Sequence, residues 1–145
     1  MKSIFRYYDG KFNQLKDILQ ILQDNITSFY TVVDVFGGSG KILLNIPDEW
    51  KKLKVYNNLN EDLYTTFKVL QDQKKRSSLV KKLRMAFAQE KVIKEMKTTH
   101  YGRDVDIAFR LLYLQTCSFM GDCTTYGRRY KGNVRISKFS IENFI

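Results

Sequence analysis

The segment Val33-Asp34-Val35-Phe36-Gly37-Gly38-Ser39-Gly40-Lys41 is the stretch whose residue types and spacing best fit a ligand-binding turn. A Gly-Lys pair after glycines invites comparison with a phosphate-binding loop, which needs G-x-x-x-x-G-K-[ST]. The position five before Gly40 is Val35, and Ile42 follows Lys41. The leading glycine and the magnesium-binding hydroxyl are both absent, so that chemistry is excluded. What the segment can do is let backbone approach a nucleoside cofactor closely, because glycine has no side chain and few forbidden conformations. Asp34 stands at the end of the preceding strand, where an acid can face the cationic end of such a cofactor. A polar residue after the next strand can bond ribose hydroxyls, as in dinucleotide folds, and Asn58 holds that place. The bland alternatives stay open: the glycines could merely link strand to helix, Asp34 could cap a helix, and Asn58 could serve a turn alone. Phe36 reads as core more readily than as a shelf for a cofactor.

Other chemistries are poorly supplied. Cys117 and Cys123 are the only cysteines and His100 the only histidine. A structural zinc takes about four such ligands, so no metal is expected, and a single imidazole argues against a Ser-His-Asp or Cys-His hydrolase. The two thiols are expected to be free, as is usual in a cytosolic protein. Charge is the stronger signal. Lys and Arg number 25 against 15 Asp and Glu, a formal net charge of +10, which favours an anionic partner. The excess is uneven: Gln73 to Arg84 carries six cations and no acid, and Arg128 to Lys138 carries Arg128, Arg129, Lys131, Arg135 and Lys138, also without an acid. A solvated helix face and a soluble tail would account for such patches, but two separate ones favour nucleic acid. No apolar run reaches the ~20 residues that span a bilayer, and Met1 to Asp9 lacks the apolar stretch of a secretory signal. The expected location is the cytoplasm.

The elements that must position these residues follow from periodicity. Leu15, Ile18, Leu19 and Leu22 fall on one face of a helix over about Asn13 to Asp24. Thr31 to Val35 reads as a short, buried, parallel strand. A helix starts at Lys41 and ends before Pro47, the only proline. Lys54 to Asn57 is a second strand, and a turn at Asn58-Leu59-Asn60 leads into a helix from Glu61 to about Gln71 with Leu63, Phe67 and Leu70 inward. Strand, glycine turn, helix, strand, amide turn and helix is the opening of a doubly wound α/β fold. Beyond Asp72, Leu79, Leu83, Phe87, Ile93 and Met96 suggest one long basic helix or two short ones. A helix from Asp104 to Gln115 buries Val105, Ala108, Leu111 and Leu112, and the glycine-punctuated remainder reads as loop or hairpin.

Three segments, in order, resemble the DNA adenine methylase family of adenine-N6 methyltransferases. Phe5-Arg6-Tyr7-Tyr8-Asp9-Gly10-Lys11 is similar to its N-terminal aromatic, glycine and lysine signature. Val33 to Gly40 resembles its acid-proline-phenylalanine-x-glycine-x-glycine motif, and Val55 to Leu63 its aspartate-x-asparagine-x-aspartate-leucine segment. Ser118-Phe119-Met120-Gly121 with Tyr126 to Lys131 is similar to its phenylalanine-asparagine-glycine stretch and basic continuation.

The resemblance implies a class I, Rossmann-like α/β methyltransferase fold: a partial doubly wound sheet with an inserted, mainly helical target-recognition region. Residues 1–72 would bind S-adenosylmethionine, residues 73–137 would recognise the target, and residues 138–145 would begin the return to a catalytic part. Tyr7, Lys11, Asp34, Phe36, Gly37, Gly38, Ser39, Gly40 and Asn58 are implied to bind the cofactor. Lys74, Lys75, Arg76, Lys81, Lys82, Arg84, Tyr126, Arg128, Arg129, Lys131 and Arg135 would lie on double-stranded DNA, holding phosphates by charge.

Departures matter as well. Val35 replaces the usual proline, Asn58 an aspartate and Met120 an asparagine, and an amide cannot receive two hydroxyls as a carboxylate does. The family's Asp-Pro-Pro-Tyr motif, which holds the flipped adenine, is not in the sequence and is expected to follow beyond Ile145. The expectation is a methyltransferase that is truncated or one part of a split enzyme, active only with the missing part supplied. The alternatives are a non-catalytic DNA-binding relic of the fold and, more weakly, an RNA or small-molecule methyltransferase.

Overall fold

The computed structural model describes residues 14–127 and 134–135. The chain opens with α1 (Leu15–Asp24), then β1 (Thr31–Asp34), α2 (Lys41–Asn45) and β2 (Leu53–Tyr56). Four helices and a short strand follow: α3 (Glu61–Gln71), α4 (Gln73–Met85), β3 (Phe87–Ala88), α5 (Glu90–Thr98) and α6 (Asp104–Cys117). The last described element is β4 (Val134–Arg135). Strands β1 and β2 run parallel, with Thr31 opposite Leu53 and Asp34 opposite Tyr56. They are joined through α2, so this part is a β-α-β unit, and the mixed helix and strand content is that of an α/β protein.

The alternation of side chains along a strand divides this sheet sharply. Val32, Asp34, Lys54 and Tyr56 share the face on which α2 packs and from which Tyr56 meets Phe67 of α3, and each is at least half-buried. Val33 and Leu53 point the other way and are 53% and 64% exposed. The strand is parallel as expected, but the expectation of a buried strand is corrected to one buried on one face among the described residues. The apolar residues needed for burial on both faces are present, but the helices of the unit lie on one side only.

The packed part is helical. Leu63, Phe67 and Leu70 of α3, Leu79 and Leu83 of α4, and Ala108, Leu111 and Leu112 of α6 form one buried cluster. Full burial of each such leucine is worth about 1.5–3 kcal/mol. A second cluster joins Ala88, Ile93 and Met96 to Tyr113, Leu114 and Cys117. The helix boundaries have local causes. Asn60 caps α3 by accepting from Leu63 N–H at 3.1 Å. Asp72 takes an extended backbone that stops α3, and its carboxylate accepts from Lys75 N–H at 3.0 Å to start α4. That N–H bond holds the Asp72 carboxyl below its ordinary pKa.

The basic stretch after Asp72 is two helices, and Phe87 belongs to neither. It sits in β3, paired antiparallel with Arg135, and its carbonyl accepts from the Tyr113 hydroxyl at 2.7 Å. Phe87 is accordingly half-exposed rather than inward on a helix. Helix α6 runs two residues past the expected end at Gln115. Beyond it a bridge between Ser118 and Tyr126 makes the expected hairpin, closed by Gly127 N–H on the Cys117 carbonyl at 2.9 Å.

A candidate cofactor turn beside a basic helical layer

The turn after β1 is built by mutual constraint. Asn57 N–H donates to the Asp34 carbonyl at 3.0 Å, and Gly37 N–H donates to the Asn57 carbonyl at 3.0 Å. The Asn57 side-chain amide donates to the Val35 carbonyl at 2.9 Å, and Gly40 N–H closes the turn on the Gly37 carbonyl at 2.7 Å. Beneath it the Tyr56 hydroxyl donates to the Gly38 carbonyl at 2.7 Å, and the Tyr56 ring rests 4.2 Å from that of Phe67. This floor explains two glycines. A Cβ on Gly37 would lie 2.3 Å from the Tyr56 ring, and one on Gly40 would lie 2.7 Å from Phe67, at a φ of +66° that side chains rarely adopt.

Asp34 lies buried at the end of β1, on the covered face and directly before this turn. Ser39 is buried within the turn, whereas Phe36 is 82% exposed. The reading of Phe36 as core is thus corrected: it projects from the start of the turn into solvent. Asn58 stands across the turn at the end of β2, half-buried. Its side-chain oxygen accepts from Asn60 N–H at 2.8 Å, so it performs the local turn role, and its amide hydrogens have no partner among the described residues. Tyr7 and Lys11 lie outside the described residues.

The cations expected on nucleic acid divide into two sets. Lys75 bonds the Asp104 carboxylate at 2.5 Å, Arg76 the Leu70 carbonyl at 2.8 Å, and Lys82 the Asp106 carboxylate. Asp106 also accepts from Arg103 at 2.7 Å. Bonding to Lys82, against the opposing effect of burial and with help from Arg103, holds the Asp106 carboxyl below its ordinary value. The bond and charge of Lys75 do the same for Asp104, and that bond raises the Lys75 pKa in return. These contacts tie α4 to α6 and to the end of α3. Lys74, Lys81 and Arg84 are exposed. Tyr126 is half-buried against the second cluster, so much of its ring serves packing. Arg128, Arg129 and Lys131 lie outside the described residues, and Arg135 contributes its backbone to β4.

Several working parts were not singled out from sequence. Tyr56 and Phe67, read only as strand and helix residues, form the floor of the turn. Arg110 bonds Asp62 at 2.8 Å and the Met96 carbonyl at 2.7 Å, joining α6 to α3 and α5. Gln115 is buried, and its side-chain carbonyl oxygen has no hydrogen-bond partner among the described residues. Burial pushes the Cys117 and Cys123 thiols up to about 12 and about 11, and both are free. Among the described residues no group of three or more His, Cys, Asp and Glu side chains could hold a metal ion, and no helix is long and apolar enough to cross a membrane.

The described residues thus combine a parallel β-α-β unit, with a glycine turn at its strand ends, and a layer of basic helices. The model of the D12 class N6 adenine-specific DNA methyltransferase family matches residues 7–133. The chain belongs to that family, which acts on adenine in DNA. No curated protein shows a significant match to it.

Proposed function

We propose that this chain supplies the S-adenosylmethionine-binding and DNA-holding parts of a DNA adenine-N6 methyltransferase of class I, Rossmann-like architecture. The observation that carries the reading is the buried Asp34 carboxylate set directly before a glycine turn that Tyr56 and Phe67 support from below. The residues present fit the cofactor. A buried acid suits a ligand whose amino-acid end and sulfonium are cationic, and the glycines let the turn seat tightly on Tyr56 and Phe67, which leaves its other side as backbone for a cofactor to approach. Asp34 would balance the cationic end, Gly37 to Gly40 would present backbone to the methionine part, and the free amide hydrogens of Asn58 would meet a ribose hydroxyl. Phe36, exposed at the rim, would offer its ring to the bound nucleoside. Tyr7 and Lys11 are assigned to the same site by the family resemblance.

When bound, the cofactor supplies an activated methyl group for transfer to the adenine amine. The chain's own contribution is to position the partners and to hold charge in place. Residues 73–137 would lie on duplex DNA, and the family resemblance assigns Arg128, Arg129, Lys131 and Arg135 to the same contact. The 145 residues contain no Asp-Pro-Pro-Tyr tetrapeptide, so within them the reading covers cofactor capture and DNA holding, not the transfer step. Calorimetric titration of the protein with S-adenosylmethionine tests it. Saturable binding that Asp34→Ala abolishes is expected; no heat of binding at millimolar cofactor would sink the cofactor assignment and favour DNA binding without chemistry.

A further inference from the structure

We propose that the chain grips the sugar–phosphate backbone of duplex DNA through one face of α4, carried by Lys74, Ser78 and Lys81, and that Lys75, Arg76 and Lys82 take no part. The inference rests on the methyltransferase reading above and narrows it to a surface.

The geometry follows from the helical repeat of 3.6 residues. Leu79 and Leu83 are buried against α3 and α6, which fixes the inward direction of α4. Lys75, Arg76 and Lys82 flank that direction and are bonded to Asp104, the Leu70 carbonyl and Asp106. A phosphate at any of these cations would compete with a partner that fastens α4 in place. Positions 74, 78, 81 and 85 fall on the opposite side. Lys74, Ser78 and Lys81 are exposed there, with no side-chain hydrogen bond or salt bridge among the described residues.

That face carries no acid, so nothing on the helix neutralises it. Two ammonium groups on flexible stems, roughly 10 Å apart along the helix axis, stand on either side of a hydroxyl that can donate to a phosphate oxygen. Lysine and serine are residue types that fix a protein on the backbone without reading sequence. Five of the six cations of this stretch are therefore two devices: an inner set of Lys75, Arg76 and Lys82 that builds the helical layer, and an outer pair, Lys74 and Lys81, that meets the polyanion.

The test is the salt dependence of binding to a fluorescent duplex oligonucleotide, measured by anisotropy. Each phosphate neutralised contributes about 0.9 to the slope of log K against log salt concentration. The Lys74→Ala/Lys81→Ala variant is expected to lower the slope by roughly 2 with an unchanged melting temperature, and Lys74→Glu/Lys81→Glu to weaken binding further. Lys82→Ala is expected to lower the melting temperature and leave the slope alone. If the unmodified protein binds no duplex at low salt, the DNA reading itself fails. If it binds and the alanine pair leaves the slope unchanged, the proposal is overturned while that reading stands. Phosphatidylserine vesicles provide a further arm; a Lys74- and Lys81-dependent preference for them over duplex would also overturn it.

Discussion

The β1–β2 sheet and the α3–α4–α6 cluster are both rich in branched aliphatic residues, but they use them differently. Helix α6 buries Ala108, Leu111, Leu112, Tyr113 and Leu114 in succession, because helices and β3 surround it. Strands β1 and β2 bury one face and leave Thr31, Val33, Leu53 and Val55 on the other, exposed. Leu59 and Phe36, at the adjoining turns, add to this apolar surface. Parallel sheets ordinarily have both faces covered, and contiguous exposed apolar surface marks a place of contact. The helical layer is thus closed within the described residues. Among the described residues, the sheet that carries the candidate cofactor turn has one face left exposed.

Truncation separates the two regions most strongly. Leu112→Ala should cost about 2–5 kcal/mol of stability in chemical denaturation, because the cavity it leaves is enclosed. Leu53→Ala, nearly the same change on the bare face, should stay within about 0.5 kcal/mol. Equal losses at the two sites would show that the bare face is covered in solution and would dissolve the contrast.

Gly37→Ala should come next. Its methyl group cannot coexist with the Tyr56 ring as placed, and overpacking of this kind costs roughly 1–3 kcal/mol. Cofactor affinity should fall at least tenfold, read by calorimetry, with little change to the far-ultraviolet helical signal. The companion change Tyr56→Phe removes only the bond to the Gly38 carbonyl and should cost roughly 1 kcal/mol.

Asp106→Asn should lower stability by roughly 1–2 kcal/mol, since it weakens the charge-assisted bonds from both Lys82 and Arg103. The pH dependence has a definite sign. The Asp106 carboxyl has a folded pKa below its ordinary value of 3.8, so the stability it confers is whole above that value. It fades as pH falls further, through the lower folded pKa. Thermal melts of the unmodified protein between pH 6 and pH 2 should show an acid-side loss that is smaller in Asp106→Asn. The smallest effect is expected at Lys81→Ala, within about 0.5 kcal/mol of stability, because the exposed lysine supports nothing in the fold.

Legibility in the sequence followed the same division. The inward residues of α3 and α6 could be read directly, since a helical stripe shows itself within a dozen residues. The glycine turn was readable from its residue types, as were the strands flanking it. The position of Phe87 was not, because β3 is defined by pairing with Val134 and Arg135, far away in the chain. The support from Tyr56 and Phe67 was equally hidden: an aromatic residue ending a strand and another within a helix carry no local sign that they meet beneath a turn. Charge was the least readable property. The acid-free run from Gln73 to Arg84 looks uniform in sequence, and it is divided by Asp104 and Asp106, on a helix some two dozen residues later, and by the Leu70 carbonyl that Arg76 bonds.

The most direct test of the account is to titrate S-adenosylmethionine into isotope-labelled protein and follow the backbone amide resonances. The largest shifts should fall at Asp34 to Lys41 and at Asn57 to Asn60, with α4 and α6 nearly still. Shifts confined to the helical layer, or none at saturating cofactor, would contradict the assignment of the glycine turn as the cofactor site.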